Sequence, residues 1–198
     1  MSTGKEVFLD FFKKKFDAHG DNVISLGWSK KGQQVRFDQV VALLPKDYRS
    51  ILDIGCGFGD FSVRVTGDSK YEGWDICDSF LNNARQGKNI SYQLRDFLSS
   101  PPEENIFDVV ICVGAFNINT GSNVEDIKQV ISSMLKGARH SAVISMISSY
   151  ADDEVKKNPE MFFYIPEEIF RYCKSVCRNV DLFHGYMPHD FMIRLTKV

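Results

Sequence analysis

Residues 50–62 read SILDIGCGFGDFS. An apolar run carrying one acid, Asp53, gives way to Gly55, Gly57 and Gly59, which alternate with Cys56 and Phe58. The run fits a buried strand, and glycines at that density let the backbone approach a ligand closely. Three ligand classes use a loop placed after a first strand. A phosphate-binding loop needs G-x-x-x-x-G-K-[ST], and no Lys or Ser/Thr follows Gly59. A dinucleotide loop needs G-x-G-x-x-G, whereas this one is G-x-G-x-G and ends in Asp60. An acid at a helix N-terminus repels a pyrophosphate. The expected ligand is therefore cationic or zwitterionic at that point.

The pattern on either side of the loop sets the fold. Downstream, short runs rich in β-branched residues alternate with longer polar segments. Strands are predicted at 50–54, 71–75, 90–94, 107–113 and 141–147, with helices near 59–66, 78–86 and 123–137. Such alternation implies parallel strands with right-handed crossovers. A helix at 167–176 follows Pro166, and NVDLFHGY and FMIRLTKV are joined by the tight MPHD turn, which forces an antiparallel hairpin. Upstream, Val7, Phe8, Phe11, Phe12 and Phe16 lie at helical spacing in residues 5–18, and QQVRFDQVVALL repeats the period before Pro45. The expectation is one globular domain. Residues 1–45 are a helical extension or lid, and 46–198 hold the ligand-binding core.

The ligand gains a sugar from Asp75, twenty residues beyond Gly55 at the end of YEGWD. A carboxylate at the tip of a second strand accepts both hydroxyls of a ribose. A ribose without a phosphate, next to a cation, describes S-adenosylmethionine (SAM). Four stretches, ILDIGCGFGD (51–60), GWDICDSFLNNAR (73–85), LRDF (94–97) and FDVVICVGAFN (107–117), are similar in order and spacing to the class I SAM-dependent methyltransferases. GWSKKGQQVRF (27–37) and HGYMPHDFMIRL (184–195) also resemble a group of small bacterial stand-alone methyltransferases of unsettled substrate.

That resemblance implies a Rossmann-like, seven-stranded, mostly parallel sheet with a C-terminal antiparallel hairpin and helices on both faces. It also implies roles. Gly55, Gly57 and Gly59 let backbone approach the methionine part, and Asp53 orients the loop or reaches the SAM ammonium. Asp75 binds the ribose diol, Ile76 lies against adenine, Asp96 accepts from the adenine amine, and the Phe97 backbone addresses the ring. Gly114 to Asn117 line the floor beside the reactive methyl. Arg36 offers a bidentate partner for the SAM carboxylate; the alternative is a solvated arginine on an amphipathic face. Trp28 and Phe37 either close over the cofactor or fill core.

Methyl transfer needs alignment above all, and a general base where the nucleophile is a hydroxyl or amine. His184 and His189, near the last strand turn, and Tyr164 are the candidates. The segment after the fourth strand reads GAFN, without the [DN]-P-P-[YF] of enzymes that methylate amino groups of adenine or glutamine. Net charge is −2, which gives no basic footprint for nucleic acid. A small-molecule acceptor is expected, with O-methylation ahead of N-methylation. The alternatives are a macromolecular acceptor (protein or RNA) and a noncatalytic SAM- or SAH-binding partner subunit. An NAD-linked oxidoreductase is disfavoured by Asp60 and the short glycine spacing.

Five scattered cysteines suit reduced thiols. MSTGKEVFLDFFKKKFD lacks a secretory core, and no stretch reaches the length of a membrane span. A cytoplasmic monomer or homodimer is expected. Cys173, Cys177, His184 and His189 do not fit a structural zinc spacing, so no metal is expected.

Overall fold

The computed structural model describes residues 4–197. Seven strands form one sheet in the order β3-β2-β1-β4-β5-β7-β6. β1 (Ser50–Ile54), β2 (Lys70–Asp75), β3 (Ile90–Leu94), β4 (Phe107–Val113) and β5 (Ala138–Ile147) are parallel. β7 (Asp190–Thr196) runs antiparallel to both β5 and β6 (Asn179–Met187). β4 is buried along its whole length, which is why FDVVICV is a continuous apolar run rather than an alternating one.

The predicted strands, parallel core and closing hairpin all appear. α1 spans Gly4–His19, α2 Lys30–Leu43, α3 Asp78–Leu81, α4 Asn123–Gly137, α5 Asp153–Lys156 and α6 Pro166–Val176. α2 begins three residues earlier than its apolar period suggests, because the Ser29 hydroxyl caps it by accepting from the Gly32 N–H at 3.0 Å. Two expected helices shrink. The segment after the glycine loop is a 3-10 turn at Asp60–Arg64, and α3 is a single turn at Asp78–Leu81. Beyond α3 the chain folds back, and the Arg85 N–H donates to the Phe58 carbonyl at 2.9 Å. The backbone groups that would extend α3 are therefore used to tie it to the glycine loop.

Helices cover both faces. α4 and α6 pack Ile127, Ile131, Met134, Ile169 and Cys173 against Leu52, Val110 and Ile144. On the opposite face α2 packs Phe37, Val40 and Leu43 against Ile51, Val109, Ile111 and Val143. A third cluster joins Phe11 and Phe12 of α1 to Phe58, Cys77, Phe80 and Ile118. This last cluster matters most for the site, because it lays α1 across the carboxyl edge of the sheet, where such folds bind ligands. Among the described residues no helix is long and apolar enough to cross a membrane.

Candidate active site

Gly55, Gly57 and Gly59 have φ of +67°, +56° and +67°. A Cβ on Gly55 would sit 2.3 Å from the Ala115 side chain, so both the turn and the approach of the β4 loop exclude other residues there. The loop is held from β2. The Gly55 and Cys56 amides donate to the Trp74 carbonyl. Asp75 accepts from the Gly57 N–H at 2.8 Å through Oδ2 and from the Cys77 N–H at 2.9 Å through Oδ1. A carboxylate has about four lone-pair directions. These two amide bonds leave the others for a ligand.

Two buried carboxylates face this loop. Asp53 Oδ2 accepts from the Tyr71 hydroxyl at 2.7 Å, and burial pushes the Asp53 carboxyl up to about 7 despite that bond. Burial also pushes Asp75 upward, against the pull of the amides on it. Each would gain from a nearby cation. Asp60 is different. Its charge is met by Arg85 Nε at 2.8 Å and by Gln33 Nε2 at 2.9 Å, and Arg85 continues to Asp21. The loop's preference for positive charge therefore rests on Asp53 and Asp75 rather than on Asp60, whose repulsion of anions is largely cancelled.

Two adjoining cavities share Phe8, Gly55, Asp75 and Ala115. The first spans about 770 Å³, space open to solvent included, and is walled by Trp74, Ile76, Phe97, Leu98 and Phe116, with Gly4, Lys5 and Phe8 of α1 as roof. Asp96 stands at its rim. Lys5 Nζ lies 3.1 Å from Asp96 Oδ2, and the Leu98 N–H donates to Oδ1. Burial pushes the Asp96 carboxyl up, but Lys5 and the amides of Leu98 and Ser99 outweigh it and hold the group below its ordinary value. The second cavity, about 530 Å³, lies between the loop, Trp28 and Phe37, with Asp53, Asp60, Val113 and Gly114 in its wall. Its lining carries no cationic side chain.

The structure brings together Asp53, Gly55, Gly57, Asp75, Ile76, Asp96, Phe97 and Gly114 of the expected set. Gly59 sits behind the loop against Tyr92, where it serves the turn. Asn117 faces inward: its Nδ2 donates to the Gly114 carbonyl and its Oδ1 accepts from the Ile147 N–H, bracing the loop after β4. Arg36 is not at the cavity. Its Nε donates to Asp190 Oδ2 at 2.5 Å in a buried ion pair, and its guanidinium lies 5.0 Å from the Trp28 ring.

The expected bases also differ. His184 Nε2 pairs with the Ser148 hydroxyl at 2.8 Å and its ring stacks on Phe191, in an outer groove with Tyr150 and Glu167. His189 lies beside Asp190, 3.7 Å away. Neither histidine lines either cavity. Tyr164 does line the first, but its hydroxyl donates to the Phe116 carbonyl at 2.6 Å, and burial pushes it well above the ordinary phenol value. That bond braces the loop after β4. Two contributors were not foreseen: Lys5 and Tyr71. Lys5 sits in an ordinary amphipathic pattern, and Tyr71 is placed only by strand pairing.

A seven-stranded sheet of this order, with a glycine loop after β1 and an acid ending β2, is the arrangement that the resemblance to the class I SAM-dependent methyltransferases implies. Residues 51–138 match the family described as "Methyltransferase domain". That segment, 88 of the 198 residues, resembles a methyltransferase domain. No curated protein matches it. Among solved structures, magnesium protoporphyrin IX methyltransferase from Synechocystis PCC 6803, with bound SAH, is similar at 17% identity and TM-score 0.70. That alignment covers 98% of this chain and 100% of the other. The plantazolicin methyltransferase BamL is similar at 11% identity and TM-score 0.69, covering 98% and 96%. A methyltransferase from Haloferax volcanii, in complex with the activator Trm112, is similar at 12% identity and TM-score 0.69, covering 96% of each chain. At these identities the likeness is one of fold.

Proposed function

We propose that this protein moves a methyl group from SAM to a small-molecule acceptor, with oxygen as the favoured atom. The observation that carries the reading is the pair of adjoining cavities roofed by α1 of the same chain. Cavities of this size suit the cofactor, and a net charge of −2 gives no footprint for a nucleic-acid strand, which favours a small acceptor.

The residues present fit the cofactor. In this reading the apolar first cavity takes adenine between Ile76 and Phe97, with Asp96 receiving the exocyclic amine. Asp75, shared by both cavities, takes the ribose hydroxyls with its remaining lone pairs. The second cavity takes the methionine end, where the buried carboxylates Asp53 and Asp75 favour a sulfonium and an ammonium. Bound SAM supplies the activated methyl; the chain supplies alignment, exclusion of water and an acidic surround. Arg36, tied to Asp190, is not assigned to the SAM carboxylate. Residues 1–45 act as a lid joined to the core 46–198, with α1 closing over the cofactor and Lys5 latching it to Asp96. A cytoplasmic monomer or homodimer fits this arrangement.

Calorimetry with SAH and with NAD tests the cofactor. SAH should bind and NAD should not; tight NAD binding without SAH binding would end this reading. Labelled methyl transfer into a cell extract, split into small-molecule and macromolecular fractions, tests the acceptor. Label in the small fraction is expected. Label confined to protein or RNA would overturn the substrate class.

A further inference from the structure

The outer groove beside His184 shares no residue with the two cavities at the glycine loop. It spans about 820 Å³, space open to solvent included, and is lined by Tyr150, Pro166, Glu167, Phe170, Leu182 and His184. It lies just past the carboxyl end of β5, between the first turn of α6 and β6. Folds of this kind take ligands along that edge of the sheet. The segment behind the groove is tied to the first cavity. The Ser149 N–H donates to the carbonyl of Tyr164, whose side chain lines that cavity.

The walls are fixed in advance. Tyr150 is 62% exposed, and a ring so exposed ordinarily turns freely. Here its hydroxyl donates to Glu167 Oε1 at 2.7 Å, and its N–H donates to the hydroxyl of the fully buried Ser148 at 3.1 Å. The same hydroxyl pairs with His184 Nε2 at 2.8 Å. The His184 ring stands edge-on to Tyr150, with centroids 5.9 Å apart. One buried serine therefore holds both ring walls. Side chains already held lose little further freedom when a ligand arrives.

The chemistry of the lining selects by charge. Phe170 and Leu182 make a half-buried apolar floor. The Tyr150 hydroxyl holds the Glu167 carboxyl below its ordinary value, and the carboxylate keeps lone pairs beyond that bond. None of the six lining side chains is a lysine or an arginine. Aromatic rings beside a carboxylate attract a cation, and an anion would meet the charge of Glu167. We propose that this groove is a second binding site, separate from the cofactor cavities, for an organic cation bearing an alkylammonium or guanidinium group. Glu167 meets the charge, Tyr150 and Phe170 meet the apolar surround of that charge, and Ser148 is a positioning residue. The site goes beyond the methyl-transfer reading and can be filled while the cavities hold a cofactor.

The test titrates the full chain with benzyltrimethylammonium, benzyl alcohol and benzenesulfonate, followed by ligand-detected NMR. The cation should bind about fivefold or more tightly than the neutral and anionic probes. Glu167→Gln keeps an acceptor for the Tyr150 hydroxyl and removes the charge, and Tyr150→Ala removes the ring. Each should weaken the cation about two- to fivefold and leave the melting temperature within a few degrees of wild type, because both positions are exposed. Benzyl alcohol or benzenesulfonate binding as tightly as the cation would overturn the proposal. So would undiminished cation binding by both variants, or displacement of the cation by SAH, which would place it in the cofactor cavities. The titration needs no SAH, so a failure of SAH to bind would end the methyl-transfer reading and leave this one standing.

Discussion

Two buried acids, Asp75 beside the cavities and Asp190 away from them, are held in opposite ways. At the β1–β2 end, Asp75 uses both oxygens on amides of its own chain and still faces the ligand. Between β5 and α2, Asp190 uses one oxygen on Arg36, and the Tyr186 hydroxyl stands beside the same carboxylate. The first acid is finished toward its own chain and still faces open space, while the second is spent on a buried ion pair.

The largest effect should come from removing the first acid. Asp75→Ala removes charge-assisted bonds to the ribose and the staple on the glycine loop. At about 1.5–3 kcal/mol for each such bond, SAH affinity should fall by about a hundredfold or more. Calorimetry showing affinity within threefold of wild type would refute the ribose role. Removing Arg36 attacks the other acid. Arg36→Met strands a buried carboxylate and should lower stability by about 3–5 kcal/mol. The double variant Arg36→Met/Asp190→Leu should recover most of that loss, as read from chemical denaturation. No recovery would mean that Arg36 stabilises through packing on Trp28 and not through the ion pair.

A subtler contrast lies in Asp53. Its folded value of about 7 lies above its ordinary value of 3.8. The proton is therefore held more tightly in the fold. The stability it contributes is fully present below pH 3.8 and is lost as pH rises through 7. Within that window the slope should approach about −1.4 kcal/mol per pH unit. Asp53→Asn should flatten it in thermal melts taken from pH 4 to 8, and an unchanged slope would place the titration elsewhere. The smallest effect should be that of Lys5→Ala. The pair with Asp96 is half-exposed, so stability should change by less than about 1 kcal/mol. SAH dissociation in stopped-flow should nonetheless quicken about two- to fivefold if α1 is a latch; an unchanged rate would make it a fixed roof.

The same division governs what could be read from the chain alone. β4 and α4 follow from uninterrupted local patterns, and the observed spans match the expected ones. The glycine loop and Asp75 are legible because their spacing along the chain is itself the signal. α3 was overestimated because its helix-like pattern gives way to a backbone bond between Arg85 and Phe58, set by tertiary contact. Arg36 and Asp190 lie 154 residues apart, and only the β5–β7–β6 pairing together with α2 brings them into one pair. His184 and His189 have the right residue type, but the hairpin turns one onto Phe191 and leaves the other beside Asp190. Residue type identifies candidates; strand register decides which of them share a space.

The aromatic stripe of α1 also bears on how the chain is made. Phe11 and Phe12 cluster with Phe58, Cys77, Phe80 and Ile118, and Met161 packs against the same group. All of these are synthesised after the helix itself. At about 5–20 residues per second, the stripe waits several seconds without its partners. The segment translated before its partners is therefore among the last to dock, and in the interval it presents phenylalanines to whatever else is near. Chaperone dependence during synthesis should accordingly fall when α1 is made less apolar, even though the finished site would then lose its roof.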